Sequence, residues 1–220
     1  MYKTISNQII KQFRPCYDPS EVITDETEEL SVKQWVEKYR NIVPAKDILW
    51  LLLREEFLSR KDLILFSVWC AREALKLIEK PDKRSVEACN VAERYANGEV
   101  TKEELLAASD AALNAAQDVD RYVDHDAFYA ASDADYAAVH ASNAALAADY
   151  VAVHTALAAD HASDAAYDAA FNAAHYASAL ADAHDSASSY IAARDIVSHA
   201  DAARAATRAS QIDYLLTYFE

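Results

Sequence analysis

From Ala127 to His175 the chain repeats every seven residues without a gap. The repeat runs through blocks such as Ala127-Phe-Tyr-Ala-Ala-Ser-Asp133, Ala134-Asp-Tyr-Ala-Ala-Val-His140 and Ala169-Ala-Phe-Asn-Ala-Ala-His175. The fifth position is Ala in all seven blocks, from Ala131 to Ala173, and the first and fourth are Ala nearly throughout. On an α-helix these three columns lie side by side and form one stripe about 100° wide. A stripe of methyl groups lets a second helix approach toward the short end of the usual ~8–10 Å separation. The opposite side carries Tyr129, Tyr136, Tyr150, Leu157 and Phe171 in the third column, and Asp133, His140, His154, His161, Asp168 and His175 in the seventh. Such a helix has two faces that can pack, so it is expected to lie between neighbours. A pentapeptide β-helix would need a period of five and strand-forming residues, and Ala is poor in strands.

Turn chemistry narrows the class further. The only Gly is Gly98, and the Pro residues are Pro15, Pro19, Pro44 and Pro81; from Glu99 onward there is neither. Sandwiches, barrels and Gly-looped nucleotide folds need those residues at their turns. The expected fold is therefore all-α: a bundle of short amphipathic helices, followed by long Ala-rich heptad helices packed closely antiparallel. A single helix over 101–220 would be about 180 Å long and would expose its Ala faces. Breaks are expected near 118–126 and near 185–189, where helix-capping residues cluster.

Three regions follow. Residues 1–30 read as an N-terminal arm with one helical turn. Residues 31–100 read as short helices. Ser31-Val-Lys-Gln34 is a capping box followed by Trp35 and Tyr39 at i, i+4. Pro44 opens a helix with Ile48, Leu51, Leu52 and Phe57 inward. A helix is expected over 61–80, with Leu63, Phe66, Trp69 and Leu77, and another over 85–97, with Val86, Cys89 and Val91. Gly98 suits a left-handed C-cap, and Thr101-Lys-Glu-Glu104 is a second capping box. Residues 101–220 form the Ala-rich acidic region.

Charge divides the chain in the same place. The net charge is −15; residues 101–220 hold 19 acidic and 5 basic side chains, 5 − 19 = −14. Between Arg121 and Arg194 there are ten Asp and no Lys or Arg. That balance argues against direct binding of nucleic acid or anionic lipid and favours a basic protein partner. The longest uncharged apolar run, 63–71, falls short of the ~20 residues of a membrane span, and no signal-peptide core is visible. Cys16, Cys70 and Cys89 form no CxxC pair and leave an odd one; Cys70 and Cys89, inside helical patterns beside apolar residues, read as reduced core cysteines of a cytoplasmic protein.

An ordered series of segments adds a resemblance. Asp47-Ile-Leu-Trp50, Ser67-Val-Trp-Cys-Ala71, Pro81-Asp-Lys-Arg84, Asn97-Gly-Glu-Val-Thr-Lys-Glu-Glu-Leu105 and the Ala/aromatic tract resemble the Ala-rich immunity protein family of bacteria and their phages, the immunity-five-like group. The resemblance spans roughly Asp47 to Tyr218. It implies a small cytoplasmic protein that neutralises a toxin or effector by binding it, with no catalytic motif to carry over. Where more Arg would be expected, this repeat carries His and Asp.

Candidate chemistry is sparse. His154 and His161 are two turns apart, about 10.5 Å, too far to share one ion within a helix. Each His is better placed beside an aromatic, as in Tyr136–His140, Tyr150–His154 and Phe171–His175 at i, i+4. No cofactor or metal is expected. The three Cys lack a neighbouring His, and one Gly gives no phosphate-cradling loop. The reading is a non-enzymatic binding protein whose acidic face includes Asp133, Asp160, Asp164 and Asp168. A phage anti-defence inhibitor acting by nucleic-acid-like mimicry is the alternative; self-association of the Ala stripes into a structural homo-oligomer is a third.

Overall fold

A computed structural model describes the backbone of residues 1–15, 18–118, 125–146, 151–181 and 188–219, and their side chains apart from 125–128, 152, 172, 175–181 and 188–195. The fold is all-α, apart from one two-stranded ribbon. Strand β1 (Thr4–Ser6) pairs antiparallel with β2 (Glu29–Ser31), with Ile5 opposite Leu30. The N-terminal segment is packed as well as paired, because Ile5, Ile10 and Ile23 are buried. Between the strands lies α1 (Asn7–Gln12), with Ser6 accepting from the Ile9 amide as its cap.

Local signals place the next helices. The Ser31 capping box opens α2 (Val32–Tyr39), and the Trp35 and Tyr39 rings meet at 5.4 Å. Pro44 stands at the N-cap of α3 (Ala45–Leu52), and Ser59 caps α4 (Arg60–Leu75) by accepting from the Asp62 amide. Asp82 caps α5 (Lys83–Ala96), Gly98 follows in the left-handed region at φ +77°, and Thr101 and Glu104 cap α6 (Lys102–Asp118) reciprocally. Two expectations need correction. Helix α4 ends at Leu75, well short of residue 80, and Leu77 and Val86 are exposed rather than inward.

The repeat region forms α7 (His125–Leu146), α8 (Val151–Ala181) and α9 (Ser188–Leu216). The breaks expected at 118–126 and 185–189 fall largely on residues outside those described, but α6 and α7, and α8 and α9, are separate helices on either side. Inside the repeat, α7 and α8 are likewise described as two helices. Helices α7 and α8 run antiparallel: His140 meets His154, and Asp133 meets His161. Helices α8 and α9 do the same through Asp164–Arg204 and Asp160–Arg208.

Helix α4 is the axis of the core. It packs against α5, α7 and α8 and buries more than half of its circumference, from Leu63 and Ile64 to Ala74 and Leu75, leaving a part-exposed stripe through Leu65, Trp69, Arg72 and Glu73. Such a helix belongs in the interior. The Ala columns meet it and each other: Ala134, Ala137, Ala138, Ala141, Ala144 and Ala145 on α7 are fully buried, as are Ala158 and Ala165 on α8. Ala loses no side-chain rotamer freedom on burial, so a close helix contact of this kind carries little entropic cost. Asp135, Ser142 and Ser163 of the second column are buried too, which makes α7 and α8 interior on more than one side. Ser142 and Ser163 turn their hydroxyls back onto their own helices, donating to Val139 and Asp160 carbonyls. Thr155, in the first column, donates to the Val151 carbonyl.

Two contacts lock the layers. Arg60 on α4 donates to the Ala145 carbonyl at the C-terminal end of α7, 3.1 Å away, where a cation complements the helix dipole. Near the end of α9, Tyr214 stacks on Trp69 of α4 with centroids 4.3 Å apart and planes 8° apart. Cys70 and Cys89 are free and buried, and burial pushes the Cys89 thiol up to about 12. Cys16 lies outside the described residues. No helix among the described residues is long and apolar enough to cross a membrane.

Candidate functional site

The antiparallel packing of α7 and α8 brings the seventh columns of both helices onto one line. Four rings stack along it in the order Tyr136, His161, His140, His154. Their centroid separations are 5.6, 5.1 and 5.6 Å. The expected pairing of Tyr136 with His140 along one helix is thus replaced by Tyr136 on His161 across two. Tyr150 and the His175 side chain lie outside the described residues. His140 and His154 approach through their Nδ1 atoms at 3.3 Å, a contact that needs one protonated and one bare nitrogen. Burial, and then the neighbouring His161 and His154, push His140 down to about 4; burial also lowers His154. This end of the stack is therefore neutral near pH 7.

The other end is acidic. His161 Nδ1 lies 3.1 Å from Asp133. Burial, a hydrogen bond with Asp133, and the charges of Asp133 and Asp164 push the Asp168 carboxyl up to about 7. Asp164 is raised by burial, against the opposing pull of Arg204. Helix α9 supplies the cations that the repeat lacks: Arg204 reaches Asp164 at 3.1 Å, and Arg208 reaches Asp160 at 3.6 Å. Arg204 also lies over the Tyr167 ring, 4.1 Å from its centroid. Lys46, just inside α3, stands 4.0 Å from Asp160.

All four sequence-nominated residues, Asp133, Asp160, Asp164 and Asp168, therefore gather at one α7–α8–α9 junction, and each is half-buried. Their first chemical task is to join helices. Among the described residues no group of three or more His, Cys, Asp or Glu is arranged to hold a metal ion.

A second acidic surface was not singled out from the sequence. Glu103, Leu106, Asp110, Leu113 and Gln117 share one exposed face of α6, with Leu106 43% and Leu113 37% exposed. The spacing of three and four residues was visible in the sequence. What hid it was Leu105: its complete burial marks the inner side of α6, and only the packing distinguishes it from Leu106.

No family model, curated protein or solved structure matches this chain. The resemblance to the Ala-rich immunity proteins rests on the segments quoted above alone.

Proposed function

We propose that this chain is a non-enzymatic binding protein that neutralises a basic protein partner, a toxin or effector, through its acidic C-terminal half. The observation that carries this reading is the exposed face of α6. There Leu106 and Leu113, seven residues apart, are flanked by Glu103 and Asp110. An apolar pair flanked by two carboxylates, with Lys102 the one cation of α6 beside it, complements an amphipathic basic surface: the leucines supply buried area, and the acids supply steering and register. The surplus of 14 negative charges over residues 101–220 extends that attraction beyond the contact itself. Burial of the Ala stripes inside the molecule weakens the self-association alternative, because those stripes already have partners.

Two multiple variants separate the two acidic surfaces. With a partner captured from the native host, Leu106→Ala with Leu113→Ala and Asp110→Asn should weaken binding and slow association while leaving the fold intact, since all three residues are exposed. Asp160→Asn, Asp164→Asn and Asp168→Asn together test the α7–α8–α9 junction. If the junction variant slows association and the α6 variant does not, the binding face lies on the junction. If neither changes the rate, the acidic half is not the binding surface.

A further inference from the structure

A cavity of about 200 Å³ opens between the α4–α5 connection, the end of α6 and the first turns of α7. One water occupies about 30 Å³ in the liquid, so the space admits a side-chain-sized group. Ile78, Pro81, Ala115 and Ala131 supply apolar wall. Asp135 also lines it, only 5% exposed. Beside Asp135 is Ser85, fully buried, whose hydroxyl is the nearest polar group to the carboxylate and favours its charged form.

The cations nearby are committed elsewhere. Arg84 donates to both carboxylate oxygens of Asp82, at 3.0 and 2.8 Å, and to Asp118 at 2.8 Å. Among the described residues no cation forms an ion pair with Asp135. Lys80 lines the cavity but is exposed. The walls thus hold three carboxylates against two cations, and the most buried carboxylate is the one left over. A buried charge of that kind is costly unless something pairs with it.

We propose that this cavity binds an organic cation on an aliphatic stem, a guanidinium or ammonium group, with the Asp135 carboxylate as its counter-ion. The apolar walls would cover the stem, and Asp82 and Asp118 at the rim would guide the head. The proposal stands apart from the α6 face. The cation could be a free small amine or an Arg or Lys side chain of a protein, and both present the same chemistry to the site.

Burial pushes the Asp135 carboxyl up to about 6, with Asp82 adding to the rise and Ser85 and Arg84 opposing it. The remaining titratable neighbour, Cys89 on α5, stays neutral because burial holds its thiol near 12. A cation in the cavity must lower the Asp135 value.

The test is a carboxyl-carbon NMR titration of the full chain with butylguanidine, butylamine and the uncharged butylurea. The two cations should shift the Asp135 resonance and carry its pKa below 4, while butylurea does neither. Because a carboxyl of pKa about 6 is about one-tenth ionised at pH 5, cation binding should weaken about tenfold between pH 8 and pH 5. Asp135→Asn should abolish binding, and Asp110→Asn should leave it unchanged. A blocked Arg tripeptide distinguishes the sources: binding comparable to butylguanidine supports a protein side chain as occupant, and exclusion of the peptide supports a free small cation. An Asp135 pKa at or below 4 in the free protein, no response to either cation, or equal binding by a folded Asp135→Asn variant would each overturn the proposal.

Discussion

Replacing Ala138 or Ala145 by Leu puts the packing account under direct strain. Both methyl groups are fully buried. Helix α7 contacts α4, α5, α6 and α8, so the added side chain has neighbours on several sides and little room to relax. Overpacking of this kind costs about 1–3 kcal/mol. In a chain of this size 1 kcal/mol moves the melting temperature by about 2–4 °C, so a drop of roughly 2–12 °C is expected. The same substitution at Ala107, exposed on α6, should stay within about 0.5 kcal/mol of wild type, because Ala and Leu differ little in helix propensity. Thermal unfolding followed by circular dichroism at the helix band reads all three variants. If Ala138→Leu and Ala145→Leu melt with Ala107→Leu and wild type, the Ala stripe is not a close contact and the assignment of faces is wrong.

Further outcomes follow from the buried titratable groups. Asp135 has a raised folded-state pKa, so its ionisation penalises the fold as pH rises from about 4 through about 6. Asp135→Asn should therefore be more stable than wild type at pH 8, by up to about 3 kcal/mol, with the gap closing below pH 4; denaturant titrations at both pH values check this, and a pH-independent gap would contradict it. His140 is the opposite case: its lowered pKa favours the neutral ring, so its contribution is complete above pH 6.5 and is lost as pH falls through about 4. Relative to His140→Gln, wild type should lose stability over that window, and imidazole NMR should place His140 well below the usual histidine range. Cys70 and Cys89 should resist a thiol reagent in the native protein and react once it is unfolded; rapid native labelling of either would contradict their burial.

Much of the architecture was legible because it depends on local signals. The Ser31 box, Pro44, Gly98 and the Thr101 box mark helix ends through backbone hydrogen bonds or conformations that only a few residue types supply. The Ala columns announced the burial of their central part, Ala134 to Ala166, through a phase held over 49 residues, although Ala173 at the far end is exposed. Long-range pairings were not legible. The β1–β2 ribbon joins segments 25 residues apart in register, and neither three-residue strand has a pattern of its own. Residues 147–150 carry no Gly or Pro, so nothing in the composition marks where α7 ends and α8 begins. The junction carboxylates read as an open acidic face because Arg204 and Arg208, which meet Asp164 and Asp160, lie about forty to fifty residues downstream. Asp135 was hidden for the same reason: the repeat shows its column, but only the arrival of α5 and α6 buries it.

The binding claim is tested most directly by the charge and salt response of whatever the protein captures. Immobilised wild-type chain should retain a basic protein from the native host at low salt. Its association rate should fall steeply between 0.1 and 1 M salt, as the Debye length shrinks from about 10 to about 3 Å and steering is lost. Retention of an acidic partner, or an association rate indifferent to salt, would contradict an acidic surface that recruits its target.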